Sequence, residues 1–86
     1  MIQRETIVKN PTGIHARPAG QLVQLCKTKP EKITILCNDR KVDPKSIFSV
    51  LTACMKCGTP ITVQVEGEQE QAVCNEIIAF VEGLTE

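Results

Sequence analysis

Residues 32–44, KITILCNDRKVDP, decide the fold. Ile33, Ile35 and Cys37 alternate with Thr34 and Leu36, the two-residue period of a strand with one face turned inward. Asn38-Asp39 is a tight-turn pair leading into a short returning strand at 40–43, and Pro44 then breaks the sheet. A hairpin therefore sits in the middle of the chain. Outward toward the C-terminus, Ser46 is a favoured N-cap type before a short helix whose apolar stripe is Ile47, Val50, Leu51 and Cys54. Gly58 and Pro60 end that region. Ile61, Val63 and Val65 alternate with Thr62 and Gln64 as a fourth strand. Residues 68–84 read as a last helix burying Val73, Ile77, Val81 and Leu84, with Cys74 and Ile78 beside them. Toward the N-terminus, Ala19, Leu22, Val23 and Cys26 recur at helical spacing, with Ala16 or Arg17 near the cap, Pro18 in the first turn and residues 28–31 as the end. Residues 10–15 are a turn-rich loop and residues 2–9 a β-branched strand.

The order is β-α-β-β-α-β-α. Helices that share a sheet with a hairpin collect on one face of it. The expected fold is α+β: a two-layer open-faced sandwich, with a four-stranded antiparallel sheet and three helices on one side. At 86 residues the expectation is a single domain over 1–86, without room for a large internal chamber.

Ten basic and ten acidic residues give a formal charge of zero, against the basic excess that nonspecific nucleic-acid binding needs. With two Phe and no Trp or Tyr, a base-stacking platform is not expected either. The N-terminus MIQRETIVK has no secretory pattern, and no apolar run is long enough for a membrane span. Five cysteines, an odd number with no export signal, point to a reducing cytoplasm rather than a disulfide framework.

The one histidine, His15, stands at the opening of the first helix. Gly13 before it can bend the backbone. A helix start offers amide donors and a partial positive charge, which together hold anions. Arg17 adds a permanent cation with a forked geometry suited to phosphate. The assembly suits an imidazole nitrogen that accepts a phosphoryl group as a relay. The plainer alternative is a capping or core histidine without chemistry, and GxHxR alone does not separate the two.

GIHARPAG at 13–20 resembles the active-site signature of the HPr family, the histidine-containing phosphocarriers of the bacterial phosphoenolpyruvate:sugar phosphotransferase system (PTS). KSIF at 45–48, with Val50 and Leu51 after it, resembles that family's regulatory-serine segment. The two matches are correctly spaced without a gap, and the likeness runs from the first strand through EGE at 66–68 to the last helix. The resemblance implies that His15 is the phosphorylated histidine, modified at Nδ1. Arg17 would neutralise the transferring group, and the Ala16 and Arg17 amides would hold its oxygens. Enzyme I would be the donor and IIA components of sugar permeases the acceptors. Neither cofactor nor metal is implied, and the carrier is expected to be a monomer. Ser46 matches the site of HPr kinase/phosphorylase, whose product serves as corepressor for a catabolite-control transcription factor. Ile47, Phe48 and Leu51 match the apolar docking patch, with Phe48 pointing outward, and Gly20, Gln24 and Lys27 match its other edge. The KSIF setting of Ser46 leans toward the sugar branch over a nitrogen-branch carrier.

Two positions depart from the family pattern. Cys54 stands where a glycine commonly ends the second helix in a left-handed conformation, and Asp39 replaces a common turn glycine. Cys54-Met55-Lys56-Cys57 is also a CxxC. It follows a helix, at the end that disfavours thiolate, and the other cysteines are expected in the core, so neither a thioredoxin-type pair nor a zinc site is expected.

Overall fold

A computed structural model describes residues 1–85; Glu86, the last position of the expected domain, lies outside the described residues. Seven elements run in the order β1 (Ile2–Ile7), α1 (Ala16–Lys27), β2 (Lys32–Cys37), β3 (Arg40–Val42), α2 (Ile47–Thr52), β4 (Pro60–Glu66) and α3 (Glu70–Glu82). This is the expected order. The four strands form one antiparallel sheet, β1-β4-β2-β3. Both strands of the strongest alternation lie at its centre, with Ile33 opposite Val65, Ile35 opposite Val63 and Cys37 opposite Ile61.

Those six side chains form the floor of the core. The helices cover it with Ala19, Leu22, Val23 and Cys26 from α1, and with Val73, Cys74, Ile77, Ile78 and Val81 from α3. A strand with one face covered buries every second residue, which is the pattern β2 and β4 show. The β2–β3 hairpin closes through Asn38 at φ 50° and Asp39 at φ 64°. Positive φ at both central residues gives the turn whose twist matches the strands, and Asn and Asp tolerate it better than most residues. Asp39 therefore serves without glycine.

Several boundaries differ from the sequence reading: β3 ends at Val42 rather than 43, α3 spans Glu70–Glu82 rather than 68–84 and leaves Leu84 beyond it and only partly buried, and β1, α1 and α2 differ as well. β1 stops at Ile7, and of the positions in register with the core Ile2 packs on it while Arg4 and Thr6 carry polar groups. Arg4 donates to Asn75 Oδ1 at 2.8 Å and Thr6 donates to Glu82 Oε2 at 2.7 Å, so this edge strand meets α3 through hydrogen bonds. α1 is capped by His15 rather than by Ala16 or Arg17. α2 ends at Thr52, one and a half turns after it starts, and of its expected stripe only Val50 is fully buried. Ala53 and Met55, just beyond it, supply the buried contacts expected of Leu51 and Cys54.

Candidate functional site at the start of the first helix

The segment before α1 is a tight turn seated on the chain that follows α2. Asn10 donates from Nδ2 to the Gly13 carbonyl at 2.6 Å, and the Gly13 amide donates back to the Asn10 carbonyl at 3.0 Å. Gly13 has φ 69°, a region L side chains disfavour. A Cβ there would lie 2.8 Å from Lys56 Cα and closer still to the Met55 carbonyl oxygen. Glycine is thus required twice over, for its backbone angle and for close approach. The next amide, Ile14, donates to that Met55 carbonyl at 2.8 Å, and the Ile14 side chain is buried. Gly58 donates to the Val8 carbonyl at 2.6 Å, tying the other end of the same segment to the end of β1.

His15 follows with extended backbone and occupies the N-cap position, yet its side chain makes no capping hydrogen bond. The residue is exposed. Its carbonyl accepts from the Ala19 amide at 2.7 Å, the first bond of the helix. Pro18 carries no N–H, so the amide N–H groups of this first turn belong to Ala16 and Arg17. No acidic side chain lies in that turn to oppose an anion. His15 and Ile14 also border a shallow depression of about 450 Å³, shared with Leu51, Cys54 and Lys56. An accessible imidazole beside helix-start donors and the exposed Arg17 can attack an electrophilic phosphorus and leave the resulting negative charge against positive groups.

The second set of expected residues lies on α2. The Ser46 hydroxyl accepts from the Ser49 amide at 3.3 Å as the N-cap. Phe48 is 76% exposed, whereas Ile47 and Leu51 are near 40%, which matches one outward and two partly inward side chains. On α1, Gln24 and Lys27 are exposed and Gly20 is half-buried. Leu51 is the α2 residue that reaches the His15 depression. Helix two does end in the left-handed geometry its glycine position foretold, with Cys54 at φ 51°.

Sequence reasoning missed Met55 and Lys56, whose backbone supports the histidine. The signal was present as a buried-type methionine directly after the left-handed position, but close backbone approach has no residue signature apart from Gly13 itself. Among the described residues no three His, Cys, Asp or Glu side chains gather as metal ligands, and no helix is long and apolar enough to cross a membrane. Burial pushes the Cys26 thiol up to about 12, partly countered by Lys45, and likewise raises the thiols of Cys37 and Cys74.

An exposed histidine that opens the first helix of an open-faced sandwich is placed where it can take a phosphoryl group, and comparison with known proteins gives the class. The family model for the PTS HPr component phosphorylation site matches residues 2–83. Phosphocarrier protein HPr of Cupriavidus necator is 32% identical over 81 residues, covering 94% of this chain and 91% of its own. The crystal structure of HPr-C-His from Thermoanaerobacter tengcongensis superposes with a TM-score of 0.90 at 28% identity, covering 95% of this chain and 92% of that one. The solution structure of Crh, the Bacillus subtilis catabolite repression HPr, superposes with a TM-score of 0.71 at 28% identity, covering 98% and 100%. The chain belongs to the HPr phosphocarrier family of the PTS.

Proposed function

We propose that His15 carries the phosphoryl group, received from phosphorylated enzyme I and passed to IIA components of sugar permeases. The Nδ1 lone pair attacks phosphorus, the bond from phosphorus to the donor breaks, and a P–N bond to His15 forms; the transfer to the acceptor reverses these roles. Arg17 and the amides of Ala16 and Arg17 hold the phosphoryl oxygens. The observation that carries this reading is an N-cap histidine whose side chain makes no capping bond and whose residue faces solvent. Ile47, Phe48 and Leu51, with Gly20, Gln24 and Lys27, form the docking surface for both partners; exposed Phe48 is the anchor type such surfaces use. The protein acts in the cytoplasm as a monomeric single domain without a cofactor or metal. Incubation with enzyme I and phosphoenolpyruvate yields an acid-labile, alkali-stable adduct that is absent from His15→Ala; no adduct with a competent enzyme I would end this reading.

Ser46 is the regulatory site within the same proposal. HPr kinase/phosphorylase would phosphorylate it from ATP, impeding transfer at His15 and presenting the modified form to a catabolite-control transcription factor. The likeness to Crh, the Bacillus subtilis catabolite repression HPr, supports this arm. Phosphate on an N-cap serine meets the positive end of a helix and brings nearly two negative charges beside the apolar patch. A protein working mainly through Ser46 would make Ser46→Asp, and not His15→Ala, alter carbon-source regulation in cells. That outcome would put the regulatory role ahead of transport.

A further inference from the structure

Phosphoryl transfer makes no use of the CxxC at 54–57, and its two thiols differ from the other three. Cys26, Cys37 and Cys74 are buried, and burial holds them protonated; because the thiolate is the reacting species, they are poor targets for oxidation. Cys54 and Cys57 are exposed. They lie between the end of α2 at Thr52 and the start of β4 at Pro60, where no helix or strand fixes the chain. Cys54 borders the depression that His15 opens onto. The Cys57 Sγ lies 3.5 Å from the Lys9 carbonyl, on the other side of the turn.

The two residues between these thiols are the seat of the histidine. The Met55 carbonyl accepts from the Ile14 amide at 2.8 Å, and the Lys56 backbone lies hard against Gly13. Met55 is 2% exposed, so its side chain is anchored in the core. A disulfide holds its Cα atoms at about 5.5–6 Å with a fixed dihedral. Closing one across Cys54 and Cys57 constrains Met55 and Lys56, and the adjustment falls on the backbone that touches Gly13 and Ile14.

We propose that Cys54 and Cys57 form a thiol–disulfide switch, in which oxidation by a small-molecule disulfide links the two sulfurs and slows phosphoryl acceptance at His15. The inference rests on His15 being the acceptor. Cys54, facing the open depression, attacks one sulfur of the small disulfide as thiolate. That S–S bond breaks, and the first small thiol leaves, taking up the proton Cys54 gave up. Cys57 then attacks the Cys54 sulfur of the mixed disulfide, and the second small thiol leaves with the Cys57 proton. Two protein thiols are oxidised and one small disulfide is reduced to two thiols. The pair follows a helix C-terminus and lacks the dipole of a catalytic dithiol, so it is a target of oxidation and not an oxidoreductase.

The test treats the full chain with oxidised glutathione. Intact mass is expected to fall by the two hydrogens lost, peptide mapping to place the link between Cys54 and Cys57, and the amide resonances of Gly13, Ile14 and His15 to shift. Phosphoryl acceptance from enzyme I slows by roughly tenfold or more, the scale of a small misplacement of a reacting group, and dithiothreitol restores it. Cys57→Ser keeps the basal rate, forms no internal link and traps one glutathione on Cys54. Failure to form the Cys54–Cys57 link overturns the proposal, as does a link that leaves the three amides and the rate unchanged. If the reduced protein accepts no phosphoryl group, the acceptor reading fails and the switch with it. The amide shifts, read without enzyme I, separate that failure from a lack of coupling.

Discussion

The first and second helices of this chain begin in opposite ways. α2 opens on Ser46, whose hydroxyl turns back to accept from the Ser49 amide, so its cap is satisfied within the chain. α1 opens on His15, which supplies its carbonyl to the helix but no side-chain cap, and Pro18 removes one further donor from the turn. A serine at a helix start contributes stability, and modification changes what the cap does. A histidine that leaves the cap unmade contributes little to folding and keeps its ring available for chemistry. The absent cap is compensated from outside the helix, because Asn10, Gly13 and Met55 fix the turn that delivers His15.

Four substitutions break or sharpen this contrast. His15→Ala abolishes the phosphoryl adduct while shifting unfolding free energy by no more than about 0.5 kcal/mol, because no side-chain hydrogen bond is lost; phosphorylation assays and urea melts on one preparation read both. Gly13→Ala tests the external support. It forces a Cβ onto the Met55–Lys56 backbone at a positive φ, and destabilisation of about 3 kcal/mol is expected in the same melts, with His15 displaced. Ser46→Ala is the mirror of the first change: acceptance from enzyme I persists, and stability falls by about 1 kcal/mol through the lost cap. Cys54→Gly acts at the far end of α2. Relief of the left-handed strain exceeds the added chain entropy, so a gain of about 0.5–1 kcal/mol is expected by thermal or urea unfolding.

The centre of the sheet was legible because β2 and β4 each have one face under helices, and alternation at 33, 35 and 37 and at 61, 63 and 65 records that directly. β1 was only partly legible. Its inward Arg4 and Thr6 meet polar groups of α3, an arrangement hydrophobic periodicity does not mark. The α2 stripe was overread: an i, i+3, i+4, i+7 pattern needs two turns, and the helix stops before Cys54 could complete it. At the candidate site, His15, Arg17 and Ser46 stood out by residue type and by their flanking motifs. The Met55 and Lys56 backbone did not, because main-chain support across forty residues depends on tertiary approach rather than side-chain identity.

The sheet order has a consequence for synthesis. β1 emerges first, yet its one pairing partner is β4, and the carbonyl that seats Ile14 belongs to residue 55. Contacts this distant along the chain form late and slowly. The stretch that carries His15 is therefore made well before the backbone that positions it, the carbonyl of residue 55. On the proposed reading, His15 lacks its seat until residue 55 and β4 have followed, and competence arrives with completion of the sheet.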